Sequence, residues 1–470
     1  MIKYQWVCVR NLFLIIAISV TAAAGADAKK AAKQWKKASN RTAERMLLKG
    51  ESVQKMRASG NGSLLVLTEQ LSSGMGMLTP QRRLIEISGD GQITVVHETN
   101  DSERIADFDR LDDGRVTVVV IPRMLKQYPI DLRIIGPTGA VAFVMAIAAS
   151  AIPESPEKPR TPSTPWGLTQ DLARVVATGN SFYLAARGPS NGLFLERYQP
   201  DGKTAFKRSW QRIIGCSNGV GAVGYTSGSY DNFHQTQVRF IPYLAADSNG
   251  DAYVATLATN AVVLGINAMF NENLKVPDLV PGQLDPSALI VTRVTIKGER
   301  KPAHLVWMGA DAEIYGMAVA QAGLVVGGRI RKNDAQRDSQ IFVARLGVPN
   351  LEPIFNKTMT THLSGVLLAV ALSQNGDLVG GGSDGWSQNP SGLSLGIFGN
   401  NLLIEFDKSG RLRRQVKVPD GPRHNQISAL LSLADGRLCI GGMQNGPLTH
   451  TADHDPKALF ADGFIVCTKQ

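Results

Sequence analysis

The chain has 470 residues, 43% of them hydrophobic, 19% charged and 6% aromatic, with 47 glycines and four cysteines. That size supports a large buried core, and the composition excludes a disordered chain, a collagen-like repeat and a disulfide-built scaffold. The formal net charge of +10 is concentrated in one short segment, where Lys29, Lys30, Lys33, Lys36, Lys37, Arg41, Arg45 and Lys49 are opposed only by Asp27 and Glu44; the remainder is close to neutral, so no nucleic-acid partner is expected.

In chain order, "MIKYQWVCVR" carries Lys3 and Arg10, "NLFLIIAISV" is an apolar run too short to span a bilayer, and "TAAAGADA" offers small-residue cleavage sites. Residues 1–26 therefore read as a secretory signal peptide, with an uncleaved anchor as the alternative. Cys8 precedes the apolar run, the wrong place for lipid attachment. The mature chain is expected to be exported, periplasmic or secreted, with no transmembrane span. Residues 27–50 form a basic segment in which "KQWKKASNR" (33–41) is a candidate closing strand, although "AKKAAKQWKKA" is also good helix former.

From residue 51 onward one unit recurs. "ASGNGSLLVLTE" (58–69), "LDDGRVTVVVI" (111–121), "ATGNSFYLAAR" (177–187), "ADSNGDAYVATL" (246–257), "AQAGLVVGGRI" (320–330), "SQNGDLVGGGS" (373–383) and "LADGRLCIGGM" (433–443) each join two apolar runs through a Gly, Asn or Asp turn. Such turns demand residues that tolerate positive φ, so each copy predicts a tight, two-residue hairpin. A third extended run follows each hairpin, among them "RRLIEIS" (82–88), "QIFVARL" (340–346), "NLLIEFD" (401–407) and "DGFIVCT" (462–468); a more polar fourth run follows, as in "GQITVVHE" (91–98) and "GRLRRQVKV" (410–418). Four antiparallel strands per unit, apolar within and polar at the last, are the pattern of a propeller blade. The expectation is an all-β, seven-bladed β-propeller over residues 51–470. The last unit stops after its third strand, and the 27–50 segment is expected to supply the fourth.

The hairpin and "NLLIEFDKSG" resemble the secreted bacterial β-propeller repeats of the delta-60 type, most clearly at 318–347, 370–412 and 430–468. That resemblance implies fold, export and a binding scaffold. It transfers no catalytic residue.

In a propeller the connections between strands two and three open on the same face as those between blades. They are long at roughly 258–287, 383–400 and 443–461, whereas the turns on the opposite face, such as "DKSG" and "SGDG", are short. His234, His362, His424, His450 and His454 map to the long-loop face, with Trp386, Trp166, Tyr225, Tyr230 and Phe233 in or beside the same loops. Within "HTADHD" (450–455), His450, His454 and Asp455 have the donor types that hold a divalent metal such as zinc, with Asp453 on the same ligand-binding face; the alternative is a polar loop that needs no metal. Exposed aromatics around a concave face stack on sugars, or else pack the loops down. Cys439 and Cys467 fall on the second and third strands of the last blade and are the candidate disulfide pair, or else pack as small apolar residues.

Two motifs mislead. "GCSNG" (215–219) has the Gly-x-Ser-x-Gly spelling around Ser217, and "GVGAVG" (219–224) that of a dinucleotide loop, but neither opens a helix. The leading functional expectation is a monomeric binding or assembly module for a glycan, peptide or partner protein. The alternative is a metal-dependent lyase or hydrolase on the same face, with a histidine as general base.

Overall fold

The computed structural model describes residues 44–60, 62–74, 77–100, 103–122, 130–137, 139–147, 173–187, 193–202, 205–215, 242–259, 274–275, 287–308, 311–331, 339–361, 364–385, 400–418, 424–446 and 462–469. Among them there are strands and turns and no helix. The first strand, β1 (Glu44–Leu48), belongs to the last blade. Blade one is β2 (Ser52–Ser59), β3 (Ser63–Gly74), β4 (Met77–Ile87) and β5 (Ile93–Glu98); blade two is β6 (Glu103–Arg110), β7 (Val116–Pro122), β8 (Ile130–Ile135) and β9 (Val141–Ile147). Blade three is β10 (Ala173–Thr178), β11 (Ser181–Arg187), β12 (Leu193–Asp201) and β13 (Ala205–Gly215); blade four is β14 (Tyr243–Ala246), β15 (Ala252–Thr259), β16 (Ser287–Val294) and β17 (His304–Trp307). Blade five is β18 (Asp311–Ala320), β19 (Gly323–Arg331), β20 (Gln340–Leu346) and β21 (Pro353–Met359); blade six is β22 (Gly365–Leu372), β23 (Leu378–Asp384), β24 (Asn400–Phe406) and β25 (Leu412–Val418). Blade seven is β26 (His424–Ser432), β27 (Arg437–Gly446) and β28 (Asp462–Lys469), with β1 as its outermost strand.

These seven four-stranded antiparallel sheets form the expected β-propeller. Their buried apolar residues fall into seven clusters, one at each junction between neighbouring blades. Phe108 lies between blades one and two, Phe182 between two and three, Tyr183 between three and four, Phe342 between four and five, all fully buried. Each large side chain so enclosed contributes about 1.5–3 kcal/mol of transfer free energy. The middle strands are therefore apolar on both faces, which is why they read as continuous hydrophobic runs.

The closing strand lies later than the 33–41 stretch, which is outside the described residues. Glu44 pairs with Cys467 and Leu48 with Gly463, so β1 covers the edge that β28 would otherwise expose. Met46 and Leu48 carry this pairing into the core between blades seven and one, where both are buried.

The turns differ from the two-residue form in most cases. Eight of them share a longer loop in which a glycine at φ between 80° and 87° donates back three residues, as Gly114 does to the Leu111 carbonyl and Gly436 to that of Leu433. A residue with a Cβ is strained there, which explains the recurring glycine. Two-residue turns survive at Gly179-Asn180 and Gln321-Ala322. All eight longer turns lie at one end of the ring, and side-chain caps such as Asp247, Asp407 and Ser88 hold several of them to their own backbone.

Candidate functional site

The end of the ring opposite those turns is where the inner strands begin and the second strands finish. The second-to-third connections leave from this end. In five blades the inner strand carries a β-bulge at the same place: Gln54, Ala106, Tyr315, Leu368 and Ser428 are each the extra residue. A bulge bends the strand and re-aims its side chains. A second register shift between β26 and β27 leaves Asn425 facing Gln444 and Asn445, with the extra residue on β27, at the mouth of the ring beside His424.

Around this mouth polar side chains are withdrawn from water. Ser383 and Asp384 end β23, Asn401 lies opposite Ser383 on β24, and Asn425 is the second residue of β26; all four are at most 1% exposed. Ser383 Oγ donates to the Asn425 carbonyl at 3.1 Å, joining blades six and seven. One junction back, Ser339 and Ser364 hydroxyls lie 2.8 Å apart and Ser339 also donates to the Gly365 carbonyl. This part of the mouth is built of amides and hydroxyls around one carboxylate.

The charged groups at the same end are paired. Glu69 accepts from Arg82 Nε at 2.7 Å and Arg104 Nη2 at 2.8 Å. Burial alone would raise the Glu69 pKa, but the two guanidiniums override it and hold the carboxyl below its usual range. Arg83 Nε donates to Glu51 at 3.0 Å, and Arg133 lies 2.5 Å from Glu103. In blade five, Glu313 accepts from the buried Arg329 at 2.7 Å and from the Tyr315 hydroxyl. Tyr315 is 37% exposed on an innermost strand, whereas the aromatics of the innermost strands β6 and β14, Phe108 and Tyr243, are buried at 0% and 8%.

His424 opens β26, in register with Gly446. His234, His362, Trp386, His450, Asp453, His454 and Asp455 all lie outside the described residues, as do Ser217, Trp166, Tyr225, Tyr230 and Phe233. Among the described residues no group of three His, Cys, Asp or Glu stands close enough to hold a metal ion. The two other described histidines, His97 and His304, sit on outer strands, and burial lowers the pKa of both; Arg133 adds to the effect at His97.

Cys439 and Cys467 are disulfide-bonded between β27 and β28. Cys467 also lines a cavity of about 200 Å³ between blades seven and one, with Met46, Leu64, Leu433 and Arg437. That cavity lies at the end with the short turns. Its walls mix apolar side chains with Ser88, Arg437 and the backbone of Gly62 and Gly89, at the end remote from the long connections.

Sequence reasoning directed attention to histidines and aromatics in loops and passed over Tyr315, Ser383, Asp384, Asn401 and Asn425. Their signal is positional. Aligning the inner strands places Gln54, Ala106, Tyr315, Leu368 and Ser428 in one column, and the polar residues follow Gly381-Gly382 or precede an apolar run.

None of the protein-family models compared matches the chain, and neither does any curated protein. Among solved structures it is similar to virginiamycin B lyase from Staphylococcus aureus, at 9% identity over 90% of this chain and 98% of that one, with a TM-score of 0.41. It is also similar to a gluconolactonase from Xanthomonas campestris, at 12% identity over 91% and 90%, with a TM-score of 0.36. A fungal alcohol oxidase in complex with copper shares 11% identity over 90% and 74%, with a TM-score of 0.43. At these values the likeness carries no argument about function.

Proposed function

We propose that this β-propeller is an exported binding module that takes a glycan, peptide or partner protein at the end of the ring bearing the long connections. The observation that carries the reading is the difference between the two ends. One is closed by self-capped turns, while the other gathers Ser383, Asp384, Asn401 and Asn425 with the exposed Tyr315. A buried, mostly uncharged polar layer at the end that also exposes an aromatic ring suits an uncharged polar ligand, since Arg82, Arg104 and Arg329 at that end already hold carboxylates. Export is supported by residues 1–26 and by the Cys439–Cys467 bond, because disulfides persist in oxidising compartments. The resemblance to delta-60-type repeats supports the same scaffold role.

The test is binding of the purified protein to arrayed glycans and peptides, repeated with Tyr315→Ala at the mouth and Asp435→Asn on a turn. Binding that falls about tenfold or more in Tyr315→Ala and persists in Asp435→Asn supports the reading. Binding indifferent to Tyr315, or chemical conversion of the captured ligand, overturns it. Conversion with loss on His450→Ala would favour the metal-dependent lyase or hydrolase.

A further inference from the structure

The two sulfurs of the Cys439–Cys467 bond are not equally enclosed. Cys439 is fully buried in the cluster between blades seven and one, whereas Cys467 is half-buried and packs against that cluster from outside. The cavity of about 200 Å³ at this junction is lined by Cys467, and Cys439 is not among its lining residues. The asymmetry follows from strand order. β28 lies one strand nearer the rim than β27 and is covered there by β1, which has five residues. Cys467 faces Glu44, the first of those five, so it sits where the cover begins.

A disulfide is opened by a thiolate that attacks one of its sulfurs, and access decides which. Cys467 is the half of this bond that borders the cavity. At about 200 Å³ the space is smaller than the roughly 300–1,000 Å³ pockets that hold drug-sized ligands, so it admits a small thiol and shuts out the active-site loop of a protein thiol. Arg437, in the cavity wall and held by Asp435 at 2.7 Å, is the charged side chain among the lining residues. A cation beside reacting sulfur favours the thiolate form of both the incoming and the leaving group.

We propose that Cys467 is a site of thiol–disulfide exchange with a small-molecule thiol that enters through this cavity. The incoming thiolate bonds to Cys467 Sγ, the bond between Cys467 and Cys439 breaks, and Cys439 Sγ leaves as a thiolate that takes a proton from water. The product is a mixed disulfide on Cys467, with the small thiol seated between blades seven and one beside Met46, Leu64 and Ile465. Cys439 stays opposite Cys467 in the β27–β28 ladder, so its return attack on Cys467 Sγ expels the small thiol and restores the bond. A second small thiol attacking the mixed disulfide instead leaves both cysteines reduced and carries the two lost electrons' worth of oxidation away as its own disulfide. The exchange acts on the blade that closes the ring, at the end opposite the mouth, so it goes beyond the functional reading and does not depend on it.

The experiment treats the folded protein with free cysteine and with thiols of increasing size at equal thiolate concentration, quenches in acid and maps the adducts by peptide mass spectrometry. It is repeated in urea below the unfolding transition and with Leu64→Phe, which narrows the cavity. A mixed disulfide on Cys467 about tenfold or more in excess over Cys439 is expected, formed at a rate that urea leaves unchanged, that falls as the thiol grows and that drops about tenfold in Leu64→Phe. Adducts shared equally between the two cysteines overturn the proposal, as does a bond that resists free cysteine until the protein unfolds. A rate that climbs steeply with urea overturns it too, because the attack then occurs in an opened state. Should Leu64→Phe fail to fold, the size series on the wild type decides: a rate indifferent to thiol size overturns entry through the cavity.

Discussion

Blades one to three and blades five to seven solve the same problem, how an inner strand meets its neighbour, with opposite chemistry. At the first junctions the residue after the bulge is charged. Lys55 Nζ lies 2.5 Å from Asp107, Arg57 Nε 3.0 Å from Asp109, and the two aspartates accept the Val175 and Ala177 amides of the following blade at 3.0 Å. At the later junctions the equivalent residues are Gly316, Ala369 and Ala429, which carry no charge. There, consecutive glycines on the second strand create the space. A Cβ on Gly381 would stand 2.4 Å from Ile427 of the next blade, and one on Gly382 would stand 1.8 Å from the Val366 carbonyl of its own inner strand. Gly327-Gly328 and Gly441-Gly442 repeat the arrangement. One half of the ring is stitched by charge and the other by close approach, so the two halves should fail under different stresses.

The sharpest way to break that contrast is Gly382→Ala. The added carbon meets backbone rather than a movable side chain, so a loss of about 3 kcal/mol or more is expected, read as a fall in thermal midpoint. Asp107→Asn should cost about 2–3 kcal/mol, because the partly buried Lys55 would lose its nearest counter-ion. The acid response separates the halves further. Burial raises the Asp107 pKa, but Lys55, Arg174 and two hydrogen bonds outweigh it and leave it below its ordinary value. Its stabilisation is therefore complete above about pH 4 and disappears as pH falls through the depressed value, so the acid limb of wild-type stability should flatten in Asp107→Asn. Asp109→Asn removes a pair whose Arg57 is one-third exposed, and about 1 kcal/mol is expected, reduced by added salt. If Gly382→Ala proves equally salt-sensitive, the distinction between the halves is wrong.

The ring was legible in the sequence because its punctuation is local. Gly114, Gly250, Gly376 and Gly436 occupy positive φ, and no other residue fits there cheaply, so the repeats announce themselves. The exact turn was not legible, since a two-residue and a three-residue loop use the same Asp, Asn and Gly. Lys55, Asp107 and Asp109 sit in strands whose alternation reads as solvent-facing charge; only the closure of seven sheets brings them face to face. The mouth was legible as a loop-rich end, but the exposure of Tyr315 goes with a bulge, and a bulge leaves no residue signature when Gln, Ala, Tyr, Leu and Ser all occupy it.

Blade seven unites strands from far-separated parts of the chain, and Gly50 donates to the Asp462 carboxylate across 412 residues. Bringing such distant partners together costs roughly 5 kcal/mol of chain entropy, so β1 must wait through synthesis of six complete blades before its hydrogen bonds form. During that wait the apolar Met46 and Leu48 face solvent. A helper that shields this stretch while the ribosome finishes would act on a segment that, once β28 arrives, offers it nothing to hold.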